Sequence, residues 1–138
     1  MFFLPSVRDE ELRHREAVEK VLTFFGLVRY RHTPVAALPF GIQKLVGFAR
    51  ALALEPALLL LDEPSAGLSP KFVGEIMRAV GRARDTGVTI LLVEQNVKAA
   101  LEIADSAAVL VGGRISRLAP ARELVDADLG DLFLGRAA

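Results

Sequence analysis

The chain has 138 residues, no cysteine, and 17 basic residues balanced by 17 acidic ones. That length fits one domain able to bury roughly two-thirds of its unfolded surface. The absent thiols exclude disulfide frameworks, thiolate zinc sites and a cysteine nucleophile, and a net charge of zero supplies no field for nucleic acid or an anionic membrane surface, so no nucleic-acid partner is expected.

Mean hydropathy is nonetheless high, at +0.38. The densest apolar stretch, Ala49 to Leu61, is interrupted by Arg50 and by Glu55-Pro56, and a membrane span needs about 20 apolar residues. The opening "MFFLPSVRDEE" has no basic n-region, and Pro5 and Arg8 cut its apolar run, so it does not read as a signal peptide. The excess apolarity is assigned to a core or to a protein contact.

In chain order, "SVRDEELRHREAVEKVLTFFG" predicts a helix. Ser6 and Asp9 fit a capping box at its start. Val18, Val21, Leu22 and Phe25 share one face, Glu11/Arg15 and Glu16/Lys20 pair on the wet one, and Gly26 closes it. "LVRYRHTPVAALPFG" has no clear period and reads as a connector. Gln43 to Leu54 is apolar nearly all round and predicts a buried helix that stops at Glu55-Pro56, because a residue before proline avoids the α region. Ala57 to Leu61 is too short for a helix and too apolar for a half-exposed strand. A parallel strand covered on both faces fits it.

Ser69-Pro70 places a cap before a proline at the first helical position. Phe72, Ile76, Val80 and Ala83 then keep one face, and Gly87 ends that helix. "VTILLV", Val88 to Val93, reads as a second buried strand, so Ala57 to Val93 forms a βαβ unit with a right-handed crossover. Asn96 caps a short helix to Ala104. "AAVLVGGRISRL" is a hairpin turning on Gly112-Gly113. Pro120 to Val125 and Leu129 to Leu134 are expected to be short terminal helices.

Two strands therefore end on polar residues, Asp62-Glu63 and Glu94-Gln95-Asn96. In open α/β sheets ligands bind at the carboxyl ends of the strands. Adjacent carboxylates there suit two tasks, one helping to hold Mg²⁺ and the next deprotonating a water, as in nucleoside triphosphate hydrolysis. The same acids could instead simply cap the Ser69-Pro70 turn.

"LLLLDEPSAGLSP", Leu58 to Pro70, resembles the Walker B segment and D-loop of ABC-type ATPases. "LPFGIQKLVGFARAL", Leu38 to Leu52, is similar to their signature motif and its helix. "GVTILLVEQNVKAALEIADSAAVLVGGRI" resembles the switch strand and the hairpin beyond it. The "VEQN" switch and the closing "LFLG" look most like branched-chain amino acid transporter ATPases. The resemblance covers Leu38 to Gly135 well and the preceding helix more loosely.

This resemblance implies an α/β, partial P-loop NTPase fold: a mostly parallel sheet with flanking helices and a carboxy-terminal β-hairpin. Residues 1–54 would be part of the helical subdomain, and 55–138 the Walker B, D-loop, switch strand and terminal elements. It implies ATP and Mg²⁺ as cofactors. Asp62 would hold Mg²⁺ through water, and Glu63 would be the general base. Gln95 would stand at the switch. Glu94 ranks below Glu63 as a base, because that position of the motif varies and precedes the switch residue. Leu38, Pro39, Phe40, Gly41, Ile42 and Gln43 would face the ATP bound by a second ATPase subunit, and Ser65 to Pro70, with Ser69 in the D-loop, would touch that subunit. Transmembrane permease subunits would hold the protein at the cytoplasmic face of the membrane.

Several positions depart from the pattern. Pro39 and Phe40 stand where Ser and Gly are usual, Ser69 replaces the usual Asp, and Gln95 replaces the usual His. Gln can hydrogen-bond a phosphate but carries no charge. A P-loop needs G-x-x-x-x-G-K-[ST]. The chain's lysines are Lys20, Lys44, Lys71 and Lys98, and none follows Gly or precedes Ser or Thr. The Walker A half and the glutamine loop are thus unrecognisable, and the chain resembles the carboxy-terminal portion of such an ATPase. In the family's sheet order the Walker A strand lies between those matching Val88–Val93 and Ala107–Val111, so its absence would leave open edges or force those strands together. Three functions follow: an ATPase portion inactive until a Walker A half is supplied, a non-catalytic module that pairs with an intact ATPase subunit, or a plain α/β domain with structural acids.

Overall fold

The computed structural model describes residues 5–125; the expected helix at Leu129 to Leu134 lies outside them. The elements in order are helix α1 (Pro5–Phe24), two 3₁₀ turns (Val28–Tyr30 and Val35–Ala37), α2 (Phe40–Leu52), β1 (Leu58–Asp62), α3 (Pro70–Asp85), β2 (Thr89–Val93), α4 (Val97–Leu101), β3 (Ser106–Val111), β4 (Arg114–Pro120) and α5 (Ala121–Leu124). Among the described residues β1 pairs with β2 in one sheet and β3 with β4 in another. No helix among them is long and apolar enough to cross a membrane.

Contacts divide the chain into two units, one of residues 1–60 and 83–91 and the other of 61–82 and 92–138. In the first unit, α1 begins at Pro5. Ser6 therefore lies inside the helix and not at its cap. The far end follows expectation. Gly26 takes φ +67, its N–H donates to the Thr23 carbonyl at 3.1 Å, and the Leu27 N–H donates to the Leu22 carbonyl at 2.7 Å. Those two bonds make a Schellman closure, which a side chain with Cβ would strain. It turns Leu27 inward, where it is 2% exposed. Phe25 stacks edge-on against Phe48 of α2 with centroids 4.9 Å apart. Leu38, Ile42, Leu45, Ala49 and Leu59 of the same unit are also buried.

The helix predicted from Gln43 starts three residues earlier, at Phe40. Pro39 breaks the pattern of the connector and at the same time opens the helix, since it ends the extended segment with ψ 144 and needs no N–H there. Helix α2 stops at Leu52, and Glu55 before Pro56 turns left-handed at φ +50.

The two strands of the first sheet run parallel, with the Thr89 N–H donating to the Ala57 carbonyl at one end and the Glu63 N–H donating to the Val93 carbonyl at the other. Their expected burial on both faces is not observed. Burial alternates, so that Leu59 is 7% exposed while Leu58, Leu60, Leu91 and Val93 lie open. The period-2 geometry of a strand sends these side chains to the face opposite Leu59 and its β2 counterparts, and no described element covers that face.

In the second unit, Pro70 occupies the first position of α3 as expected, and Ile76, Met77, Ala79 and Val80 are buried along it. Asn96 caps α4, its side chain accepting the Ala99 N–H at 3.3 Å, although the helix ends at Leu101 and not at Ala104. Gly112 and Gly113 both have positive φ, +56 and +76, as a two-residue primed turn requires. Val111 and Arg114 pair across it, and a register shift falls between Val109 and Leu110. Leu101, Ala121 and Leu124 form a small core with Val97, Ala104, Ala107, Val109 and Ala119 packed around it.

Candidate functional site

Strand β1 delivers Asp62 and Glu63 to the carboxyl end of the parallel pair, and β2 delivers Glu94 and Gln95 to the same edge. The join is made by the backbone: the Glu63 N–H donates to the Val93 carbonyl at 2.8 Å. Beyond that bond the chain must leave the sheet, because Pro64 has no N–H to continue the ladder. Glu63 makes the exit by adopting φ +44, a left-handed conformation that costs a side-chain-bearing residue on the order of 1–3 kcal/mol.

Two side-chain bonds cross the edge. The Gln95 amide Nε2 donates to Glu63 Oε1 at 2.8 Å, so the residues expected to be base and switch are brought together from positions 32 apart. Alongside, Glu94 takes the Ser65 N–H on Oε1 and the Ser65 hydroxyl on Oε2, each at 2.8 Å. The Asn96 N–H reaches the same Oε2 at 3.4 Å. Ser65 is 7% exposed and is the sole buried polar residue of the described chain. Three donors on one carboxylate leave Glu94 poorly placed to take a proton from water, whereas Glu63 accepts a single side-chain bond. Its anchoring role was not legible in sequence: nothing in the local pattern pairs Glu94 with Ser65, 29 residues distant.

Asp62 is exposed at the strand end, with its carboxylate open to solvent. No cluster of three or more His, Cys, Asp or Glu able to hold a metal occurs among the described residues. A single exposed carboxylate fits Mg²⁺, which keeps most of its waters and binds through one or two carboxylates plus substrate phosphates. Asp62 is the residue that would hold it. Downstream, the turn closes through the Ala66 N–H to the Glu63 carbonyl at 3.1 Å and the Leu68 N–H to the Ser65 carbonyl at 3.2 Å. The Ser69 carbonyl accepts the Val73 N–H at 3.0 Å as α3 begins.

The signature segment belongs to the other unit. Leu38, Gly41 and Ile42 are buried, and Pro39 and Phe40 are exposed. The Gln43 amide donates back to the Leu38 carbonyl at 2.8 Å, tying the connector to the first turn of α2. Ile42 and Gln43 N–H groups both donate to the Pro39 carbonyl, but no side chain caps the helix. Phe40 is 54% exposed, and the Lys44 ammonium stands 5.6 Å from its ring centroid. An aromatic ring thus projects where a glycine is usual, next to Pro39, which stands where a hydroxyl donor is usual.

A family model described as "ABC transporter" matches residues 2–66. The high-affinity branched-chain amino acid transport ATP-binding protein BraG of Pseudomonas aeruginosa is 43% identical over 99 residues, covering 71% of this chain and 42% of that protein. The probable branched-chain amino acid transport ATP-binding protein LivF of Archaeoglobus fulgidus is 39% identical over 123 residues, covering 88% of this chain and 51% of that one. The crystal structure of the ADP conformation of MJ1267, an ATP-binding cassette of an ABC transporter, superimposes with a TM-score of 0.78 at 26% identity over 89% of this chain and 50% of the other. The chain spans about half the length of these three proteins, and about a fifth of some longer relatives that it also matches.

Proposed function

We propose that this chain, which belongs to the ATP-binding family of ABC transporters, supplies the Walker B, D-loop and switch portion of an ATP-hydrolysing site that drives uptake or export of branched-chain amino acids or similar solutes. The observation that carries the reading is the 2.8 Å bond from Gln95 to Glu63 Oε1, which presents one carboxylate, already oriented, at the end of a parallel strand pair. Glu63 Oε1 is engaged by the amide, and Oε2 takes the proton of the attacking water. Asp62, exposed beside it, would hold Mg²⁺. That ion, when bound, supplies charge neutralisation on the phosphates. Gln95 orients the base without adding charge.

The 138 residues contain no G-x-x-x-x-G-K-[ST], so phosphate-cradling N–H groups must come from another segment. The partners of this reading are a second ATPase subunit and transmembrane permease subunits at the cytoplasmic face of the membrane. The amino acid class rests on BraG and LivF, whose names carry it. The test is phosphate release by the purified chain alone and by the chain fused behind a segment carrying the Gly-rich lysine loop. The fusion is expected to hydrolyse ATP and the chain alone to match its own Glu63→Gln control. Turnover by neither, despite ATP binding to the fusion, overturns the catalytic reading.

One observation favours a second reading, a non-catalytic module that pairs with an intact ATPase subunit. Pro39, at the uncapped start of α2, stands where a serine is usual and offers no hydroxyl to a partner's γ-phosphate, and Phe40 beside it, where a glycine is usual, is 54% exposed. Under that reading the fusion binds ATP but does not turn over, while mixing the chain with an intact subunit alters that subunit's rate.

A further inference from the structure

The carboxylate of Glu94 lies next to the proposed site and takes no part in the chemistry assigned above. It nevertheless makes more hydrogen bonds than any other side chain there: the Ser65 N–H and hydroxyl at 2.8 Å each, and the Asn96 N–H at 3.4 Å. Ser65 is buried and stands two residues beyond Glu63, across Pro64. Between them the backbone passes through the left-handed conformation of Glu63, φ +44. Such a conformation persists in a side-chain-bearing residue only where its surroundings over-determine it. On one side it is held by the Glu63 N–H to Val93 carbonyl bond. On the other the first anchor outside the turn itself is Glu94.

We propose that Glu94 is a positioning residue for the base. By gripping Ser65 at both its N–H and its hydroxyl, it fixes the turn that aims Glu63 at Gln95. Neighbours just beyond the end of β2, Glu94 and Gln95 thus hold Ser65 and Glu63 respectively, and the Walker B turn and the switch residue move as one body. The proposal deepens the reading of Glu63 as the base and rests on it for its catalytic meaning.

The test uses the isolated, isotopically labelled chain and needs no nucleotide, so it is independent of whether Glu63 is the base. The Gln95 side-chain amide protons report the bond to Glu63, and exchange of the Ser65 amide reports the clamp. Bonds to a charged acceptor are the strong ones, so Glu94→Gln and Ser65→Ala are expected to speed Ser65 amide or turn exchange by about 10- to 100-fold. Both are expected to move the Gln95 amide proton signals to the two separate values of a free side-chain amide. Ser65→Thr keeps N–H and hydroxyl and is expected to retain the wild-type Gln95 signals. Protection of the β3–β4 hairpin amides, measured in the same samples, reports the fold. Gln95 signals unchanged in Glu94→Gln or Ser65→Ala, with the hairpin still protected, overturn the proposal and leave Glu94 as a tie for the loop. If Glu94→Gln loses hairpin protection, Ser65→Ala decides alone. Where Gln95 responds but a fused, phosphate-loop-bearing enzyme turns over normally as Glu63→Gln, positioning stands and the assignment of the base falls.

Discussion

Replacing Glu63 by Gln removes a proton acceptor while leaving its shape. The structure indicates why the rest of the site should survive. The bond at stake, Gln95 Nε2 to Glu63 Oε1 at 2.8 Å, is donated to an oxygen that a glutamine also possesses. The backbone bond from Glu63 N–H to the Val93 carbonyl is untouched. The folded state should therefore change by no more than about 0.5 kcal/mol, as for ordinary partly exposed sites. Loss of general-base catalysis is worth about 10²–10⁴-fold, or roughly 3–5 kcal/mol of barrier at about 1.4 kcal/mol per decade. The assay is steady-state phosphate release from the fused, phosphate-loop-bearing enzyme, with kcat and KM for ATP measured in Glu63→Gln, Glu94→Gln and Asp62→Asn. Glu63→Gln is expected to lower kcat by that factor with KM near wild type. Asp62→Asn should instead raise KM and the Mg²⁺ requirement. A Glu94→Gln enzyme that stops while Glu63→Gln continues near the wild-type rate would show that the base has been misplaced.

Further outcomes concern the isolated chain. Leu124 is 1% exposed within the cluster it forms with Leu101 and Ala121, so Leu124→Ala should cost about 2–5 kcal/mol and lower Tm by roughly 8–20 °C in a thermal melt. Gly47 lies within α2 with nothing inside 4 Å of an added Cβ; Gly47→Ala should stabilise by up to about 1 kcal/mol in urea titrations, and destabilisation would mean that helix is not formed in solution. Leu60 is 67% exposed on the open face of the parallel pair, so Leu60→Lys should reduce self-association in light scattering with little change in Tm.

Much of the local architecture was legible because it depends on residues a few positions apart. Gly26, Gly112 and Gly113 have the positive φ that their placement after a helix or between strands calls for. Asn96 caps α4 through its own side chain, and Pro70 opens α3. The pairing of Asp62-Glu63 with Glu94-Gln95 at one sheet edge also followed from the strand pattern, since both strands end in polar residues and parallel pairing sets those ends together.

Other features were decided by tertiary structure. An unbroken run of leucines reads as covered on both faces, but apolarity cannot tell a face that is covered from one that is merely apolar. Leu58 and Leu60 proved open while Leu59 is buried. The start of α2 at Phe40 depends on Pro39 serving as the helix's entry, which propensity alone does not distinguish from a connector. The left-handed turn of Glu63 and its anchorage by Glu94 through Ser65 were invisible in sequence. Glutamate has no intrinsic preference for that conformation, and a bond between residues 29 apart exists only once the two strands have paired and brought their ends within hydrogen-bonding reach.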